Sequence, residues 1–567
     1  MKHHIVSTLL GLALAATIHA APVTYSENQL SNGIVSVSFE KDGTFSIQDA
    51  KTKEELLSKS RFWLPRGIEG NVVKVSSEDV KDALGNGKRV VLQINGFDEH
   101  GVHGQYGRTS AVRLYTYTLY ENHPALVCGF GLKLPNFLSH HLRESTPLSG
   151  GKLFGGKKID KAMTLNGSAG AIKTVVAPGL DRRSANSLAL TGVVDGKRRT
   201  AVWGGLGNEA FGKFAMLRNG SPTFYAQDPI GRLVDEDETY MPKDTFYIDV
   251  HTREPFDALE RYGLAMRAAN NASPNIYDFP VLCGWSVGNI SKLPGVNSST
   301  KLIKELEHAN KCGLTKYTKV SLRLEPDKYH NDTEQGWWDD AHMQQYKHLV
   351  KPYETIAKWS KAMNANNGIP YIYMQLGMPS DDFARKYPEW MLFSDGSEVD
   401  RVAPQIPGRR KNRHKHRHHQ PYVTFDYTDK EFSKHFVKVW SKLHKDGIQG
   451  VKVDYPATAW RPEGGFDDRY ATTNSAYRRA FSLLREAFGK DGLIDERNLG
   501  ESSRPCLDVT AGIVDTQRTW ADSNKYVPAM ISISGLRWYK NRTVFNYYAD
   551  TKAVHGTTQG IRHSPPP

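Results

Sequence analysis

Two short stretches of this sequence carry residues whose types and spacing suit chemistry on a carboxylate pair. The first is Gly447 to Trp460, GIQGVKVDYPATAW. Ile448, Val451 and Val453 read as a short buried strand that Pro456 stops, so Lys452 and Asp454 fall at its C-terminal end. Residues two apart on a strand share a face, which sets the Lys452 cation beside the Asp454 carboxylate. A cation there keeps a carboxylate ionised, as a nucleophile or base requires, although a structural ion pair closing the strand has the same pattern. The second stretch is Val514 to Asn524, VDTQRTWADSN. A strand ending at Trp520 places Asp522 in the loop after it, with Arg518 and Trp520 on one face. A Trp face suits the CH surface of a sugar and Arg suits its hydroxyl oxygens, while a Trp and an Arg in a barrel core read equally well as packing. Asp515 competes with Asp522 but falls at the start of its strand. Two carboxylates on facing strand ends, with aromatics, fit glycoside hydrolysis, in which one attacks the anomeric carbon and the other protonates the leaving oxygen. No metal-ligand spacing or GxGxxG turn accompanies them, so neither a metal nor an organic cofactor is expected.

The elements that must position these residues follow from periodicity. From residue 22 to 254 the pattern is β. Val35, Val37 and Phe39 alternate with polar residues, Asp42-Gly43 turns the chain, and Phe45 and Ile47 alternate again. Val193 to Lys197 reads as a second hairpin, and Val112–Tyr120 and Phe246–Val250 as further strands. A large antiparallel sandwich results. Residues 255–273 change period, with Pro255 in a first helical turn and Leu259, Tyr262 and Met266 on one face. In 274–560, strands and helices alternate. The strands are Val281–Cys283, Thr318–Leu324, Pro370–Leu376, Gly450–Asp454, Leu493–Glu496, Ile513–Thr519 and Thr543–Tyr547. Helices are expected over Asp429–Lys445, capped by Thr428 and Glu431, and over Thr473–Phe488, ended by Gly489. This alternation implies a parallel sheet closed as a (β/α)8 barrel, with a doubly wound open sheet as the alternative. Seven strands leave it one short, since Pro565-Pro566-Pro567 cannot supply an interior strand, and a truncated chain is expected.

The stretch Asp429–Asp522 resembles the melibiase family, the α-galactosidases of glycoside hydrolase family 36. Lys452-Val453-Asp454 matches the family's Lys-x-Asp nucleophile strand, and Trp520-Ala521-Asp522-Ser523-Asn524 resembles its Trp-x-Ser-Asp-Asn acid/base motif. Tyr387-Pro388-Glu389-Trp390 resembles a His-Pro-Asp-Trp segment after the third strand, and the helix from Pro255 resembles the family's connector. The resemblance implies a β-supersandwich before a (β/α)8 barrel, Asp454 as nucleophile and Asp522 as acid/base, with Trp285, Lys452, Arg504 and Arg518 lining a sugar site. The sugar-binding loops depart from the family. Tyr373 to Pro379 stands in place of Trp-Phe-Glu-Pro-Glu, and Gly500-Glu501-Ser502-Ser503-Arg504-Pro505-Cys506 in place of the Cys-Ser-Gly-Gly-Gly-Gly-Arg loop. Glu325 and Asp327 stand in for paired aspartates after the second strand.

Composition sets the remaining expectations. A chain of 567 residues with 39% hydrophobic residues has ample core for several domains and excludes a wholly disordered protein. Lys2, His3 and His4, the apolar Ile5 to Ala16 and the small Ala20-Ala21 read as a signal peptide over 1–20, so the mature protein is expected outside the cytosol, extracellular or periplasmic. Four widely spaced Cys exclude a disulfide scaffold, and Cys283–Cys312 is the shortest bridge available. Seven Asn-x-Ser/Thr sequons, Asn297 among them, matter only in a glycosylating host. The net charge of +13 owes six of its units to Arg409–His419, RRKNRHKHRHH. That run reads best as a solvated basic loop, ahead of a polyanion patch or His metal binding. The expected function is thus a secreted retaining α-glycosidase acting on an oligosaccharide or glycoside, with no nucleic-acid or membrane partner. A carbohydrate-binding protein without turnover is the rival, and a polyanion-binding surface protein a more distant one.

Overall fold

The computed structural model describes residues 22–64, 71–95, 111–135, 139–167, 175–176, 182–275, 278–283, 297–325, 333–377, 379–393, 423–497, 508–518, 535 and 537–548. The signal-like segment and the basic run Arg409–His419 lie outside them. Among the described residues no helix is long and apolar enough to cross a membrane.

The β-rich part forms two antiparallel ten-stranded sheets. The expected hairpins build both. Val35–Phe39 pairs with Phe45–Asp49 across Asp42-Gly43, and Ser187–Val194 with Lys197–Gly205 across Asp195-Gly196. Asp195 and Gly196 both have positive φ, 49° and 72°, the backbone a two-residue turn needs to follow strand twist. The inner faces bury Val35, Val37, Phe45, Tyr117, Phe130, Trp203 and Phe246 in one core. Phe224 and Phe246 stack there with centroids 4.5 Å apart.

The helix Pro255–Ala269 follows, with Pro at its first turn and Leu259, Tyr262 and Met266 buried. Tyr262 donates to the Gly205 carbonyl at 2.5 Å and Asn270 to Leu206 at 2.8 Å, which ties the helix to the sandwich.

Besides a two-stranded antiparallel ribbon, Met391–Phe393 with Val423–Phe425, the described residues that follow form a sheet of seven parallel strands, numbered here β1 Val281–Cys283, β2 Val320–Leu324, β3 Gly368–Gln375, β4 Gly450–Asp454, β5 Leu493–Glu496, β6 Thr516–Arg518 and β7 Asn546–Tyr548, adjacent in that order. With helices between most neighbours, the sheet is a curled, incomplete (β/α)8 barrel. Every expected strand is present, and several ends move. β6 starts at Thr516 because Asp515 turns outward to Arg485, and β7 starts at Asn546 because Asn541 to Phe545 make a tight turn with Arg542 at φ 59°. The helix at Lys430–Lys445 buries Phe432, Phe436, Val439, Trp440 and Leu443 as its periodicity requires. Its cap, however, is Asp429, whose side chain accepts from the Phe432 N–H at 2.6 Å. Thr428 instead donates to Asp426 at 2.7 Å, and Glu431 pairs with Lys434, so the expected Thr428–Glu431 box does not form. Thr473–Phe488 is capped by Thr472 and ends at Gly489, φ 68°.

The sandwich reaches into this helix. Asp228, on strand Ser221–Val234, accepts from the Thr473 and Asn474 N–H groups at 3.2 and 3.1 Å and from the Asn474 side chain at 3.0 Å. A carboxylate from the sandwich thereby sits at the positive end of a barrel helix. Cys128 and Cys312 are free thiols, one buried and one exposed, so the Cys283–Cys312 bridge is not formed.

Candidate active site

Strand β4 shows why its residues face as they do. Val451 and Val453 point outward into the apolar layer under the helices. Lys452 and Asp454 point inward, as period-two alternation demands. Gly450 also faces inward, and a Cβ there would lie 2.0 Å from the Tyr371 ring, so only glycine lets that ring cross the interior.

The inward faces of β2, β4 and β5 meet in a buried charge network. Lys452 Nζ lies 3.6 Å from Asp454 Oδ2 and 3.3 Å from Glu325 Oε1. Arg497, just past β5, places Nη1 2.8 Å from Asp454 Oδ1. Arg323 on β2 contacts Glu325 at 2.5 Å and reaches Asp495 on β5 at 3.6 Å. Asn297 brackets Glu325, accepting from its N–H at 3.0 Å and donating to its carbonyl, which makes this sequon a structural asparagine. Lys452 Nζ also lies 5.6 Å from the Tyr373 ring centroid. β3 brings Gln375 level with Asp454 in the ladder, and Gln375 donates to the Tyr373 hydroxyl at 2.7 Å.

The electrostatics of Asp454 follow from these neighbours. Burial on its own would raise its pKa, but Lys452, Arg497 and Arg518 outweigh burial and hold the carboxyl well below the usual carboxylate range. Asp454 is therefore an anion across the neutral range. Asp495 differs. Burial pushes it up to about 6 against the pull of Arg323 and Lys452. Two carboxylates within one barrel thus take opposite shifts from their surroundings, a pattern associated with functional sites.

The chain just past Asp454 is strained. Tyr455 has φ 45°, in the left-handed region a bulky aromatic rarely adopts. That conformation turns its N–H back onto Asp454 Oδ1 at 2.9 Å. Thr458 donates to the Tyr455 carbonyl at 2.8 Å and steadies the bend.

Lys452, Asp454 and Arg518 are thus brought into one electrostatic neighbourhood. Trp285, Arg504 and Asp522 lie outside the described residues. Asp515 sits apart, clamped by Arg485 at 2.6 Å and by the Asn275 N–H at 2.9 Å, which is a structural role. Sequence reasoning passed over Arg323, Asp495 and Arg497. The available signal was a charge inside a buried apolar strand, in VSLRLE and LIDER. Among the described residues no group of three His, Cys, Asp or Glu side chains gathers to hold a metal.

Glu496 faces the other way, toward the helical layer, and is fully buried. It accepts from the Tyr477 hydroxyl at 2.5 Å, from Thr510 and from Gln517 at 3.2 Å. Burial pushes its pKa up to about 7. A carboxyl raised in the folded state stabilises the fold below its unfolded value of about 4.3, and that contribution is lost as pH rises through the folded value. Glu496→Gln keeps the shape without the charge. Its melting temperature is expected to match the wild type at about pH 4, to begin to exceed it above that, and to exceed it most at about pH 8. Parallel curves across that range would contradict this account of Glu496.

No family model matches the sequence, and no curated protein does. Solved structures do. The α-galactosidase of glycoside hydrolase family 36 from Geobacillus stearothermophilus, in complex with 1-deoxygalactonojirimycin, aligns over 92% of this chain and 78% of its own at 11% identity, with a TM-score of 0.56. The α-galactosidase from Lactobacillus brevis aligns over 95% and 82% at 11% identity, TM-score 0.54. The galactosidase domain of an α-galactosidase–sucrose kinase aligns over 95% and 76% at 12% identity, TM-score 0.52. At these identities the likeness is one of fold, and the chain has the sandwich-and-barrel fold of the family 36 α-galactosidases.

Proposed function

We propose that this protein is a secreted retaining α-glycosidase that removes terminal α-galactosyl units by double displacement. The observation that carries the reading is Asp454, an ionised carboxylate at the C-terminal end of a barrel strand, where barrel enzymes place their chemistry. Asp454 attacks the anomeric carbon. The new carbon–oxygen bond forms as the glycosidic bond breaks, and the leaving oxygen takes its proton from Asp522. Water, deprotonated by the same Asp522, then attacks the glycosyl–Asp454 ester, so the sugar departs with its configuration kept and Asp454 regains its electron pair. Lys452 and Arg518 stabilise the carboxylate, and with Arg504 and Trp285 they line the sugar. The shared fold with α-galactosidases, one of them solved with 1-deoxygalactonojirimycin, supports a galactoside as substrate.

The altered loops at Tyr373–Pro379 and 500–506 favour the rival reading of a sugar-binding protein without turnover. A panel of α- and β-glycosides with proton NMR of the first-formed anomer separates the two. Release of the α-anomer from an α-galactoside is expected. Binding without hydrolysis supports the rival, and release of the β-anomer overturns the retaining mechanism.

A further inference from the structure

The two oxygens of Asp454 stand in different surroundings. Oδ1 accepts two hydrogen bonds, from the Tyr455 N–H at 2.9 Å and from Arg497 at 2.8 Å. Oδ2 faces Lys452 at 3.6 Å, beyond hydrogen-bond distance. Arg497 is itself braced. Its backbone N–H donates to the Val453 carbonyl at 2.9 Å, which laces the end of β5 to the end of β4. Its guanidinium carbon lies 4.7 Å from the Tyr455 ring centroid. The strained Tyr455 therefore serves twice: its amide binds Oδ1, and its ring backs the cation that binds Oδ1. Strain persists at a bulky residue only where surrounding structure over-determines it, and here both consequences converge on one atom.

We propose that Arg497, backed by Tyr455, is a positioning residue that anchors Oδ1 of Asp454 and leaves Oδ2 as the attacking oxygen. This rests on Asp454 being the nucleophile. An anchored Oδ1 fixes the carboxylate plane and aims the lone pairs of Oδ2, so the attack starts from one geometry rather than from a rotating group. The lengthened distance to Lys452 suits the role. An ammonium 3.6 Å away stabilises the anion without occupying the lone pair that attacks. Among the described residues, the charged groups that act on Asp454 are Lys452 on β4, Arg497 after β5 and Arg518 on β6. Glu325 after β2 and Asp495 on β5 are reached through Lys452 and Arg323.

The test compares wild type, Arg497→Gln and Arg497→Lys on the glycoside that the panel identifies, with kcat and KM measured across pH. For Arg497→Gln, kcat is expected to fall about 100-fold with KM changed less than about threefold. Loss of one cation raises the acid limb of kcat/KM by about one unit or more. Arg497→Lys is expected to keep the acid limb and recover only part of kcat, because an ammonium lacks the planar fork. A wild-type kcat and acid limb in Arg497→Gln overturns the proposal. So does a rise in KM at unchanged kcat, which marks a sugar contact instead. If Arg497→Gln fails to fold, Arg497→Lys decides: full wild-type kcat there overturns the proposal. Turnover by Asp454→Asn overturns the underlying reading itself, a result distinct from any of these.

Discussion

Asp454→Asn is expected to lower kcat by about four orders of magnitude while the protein stays folded. The amide keeps an oxygen to accept from Tyr455 and Arg497 but has no charge to form a glycosyl ester. Stability moves in a defined way too. Asp454 is depressed in the folded state, so it contributes stability that is present above its unfolded value of about 3.9 and is lost as pH falls below that. The asparagine variant gives up that contribution and leaves Lys452 and Arg497 without their shared anion. Its melting temperature should therefore lie below the wild type at neutral pH, and the gap should close as pH falls through and below about 4. A variant with near wild-type turnover sinks the assignment. A variant that melts like the wild type at pH 7 contradicts the electrostatic account even if turnover is lost.

Asp522 carries the second large effect. In the proposed acid role, it matters in proportion to how badly the leaving oxygen needs a proton. Asp522→Ala is expected to lower kcat/KM by about 10²–10⁴-fold on a galactoside with a sugar leaving group, and far less on a nitrophenyl galactoside. If it is also the base for the second step, as proposed, its loss is expected to leave the glycosyl–Asp454 ester long-lived. Added azide, which needs no deprotonation, should then restore turnover of the nitrophenyl substrate and yield a galactosyl azide of retained configuration. Equal losses on both substrates with no effect of azide would remove Asp522 from the acid/base role.

Much of this arrangement was legible because it is local. Val451 and Val453 flank Lys452 in a strand too short and too apolar to be anything but buried, and alternation alone puts Lys452 and Asp454 on one face. The Gly196 and Gly43 turns were likewise fixed by neighbours in sequence. What escaped is non-local. Arg497 lies 43 positions from Asp454. It meets Asp454 only because β5 pairs with β4 so that Lys452 stands opposite Asp495. No periodicity within either strand encodes that register. Asp429 took the cap from Thr428 because two adjacent residues were both competent, and the competing acceptor Asp426 drew the Thr428 hydroxyl away. The ends of β6 and β7 were set by Asp515 and by the turn at Arg542, both tertiary in origin.

The central claim is that Asp454 forms a covalent bond to the sugar. A 2-deoxy-2-fluoro galactosyl donor slows both steps, and an activated leaving group restores the first, so the glycosyl-enzyme accumulates. Peptide mass spectrometry of the inactivated protein should find the fluorosugar on Asp454, at one equivalent per chain, and none in Asp454→Asn. A label on any other residue would contradict the account, as would hydrolysis of the parent galactoside with inversion and no label at all.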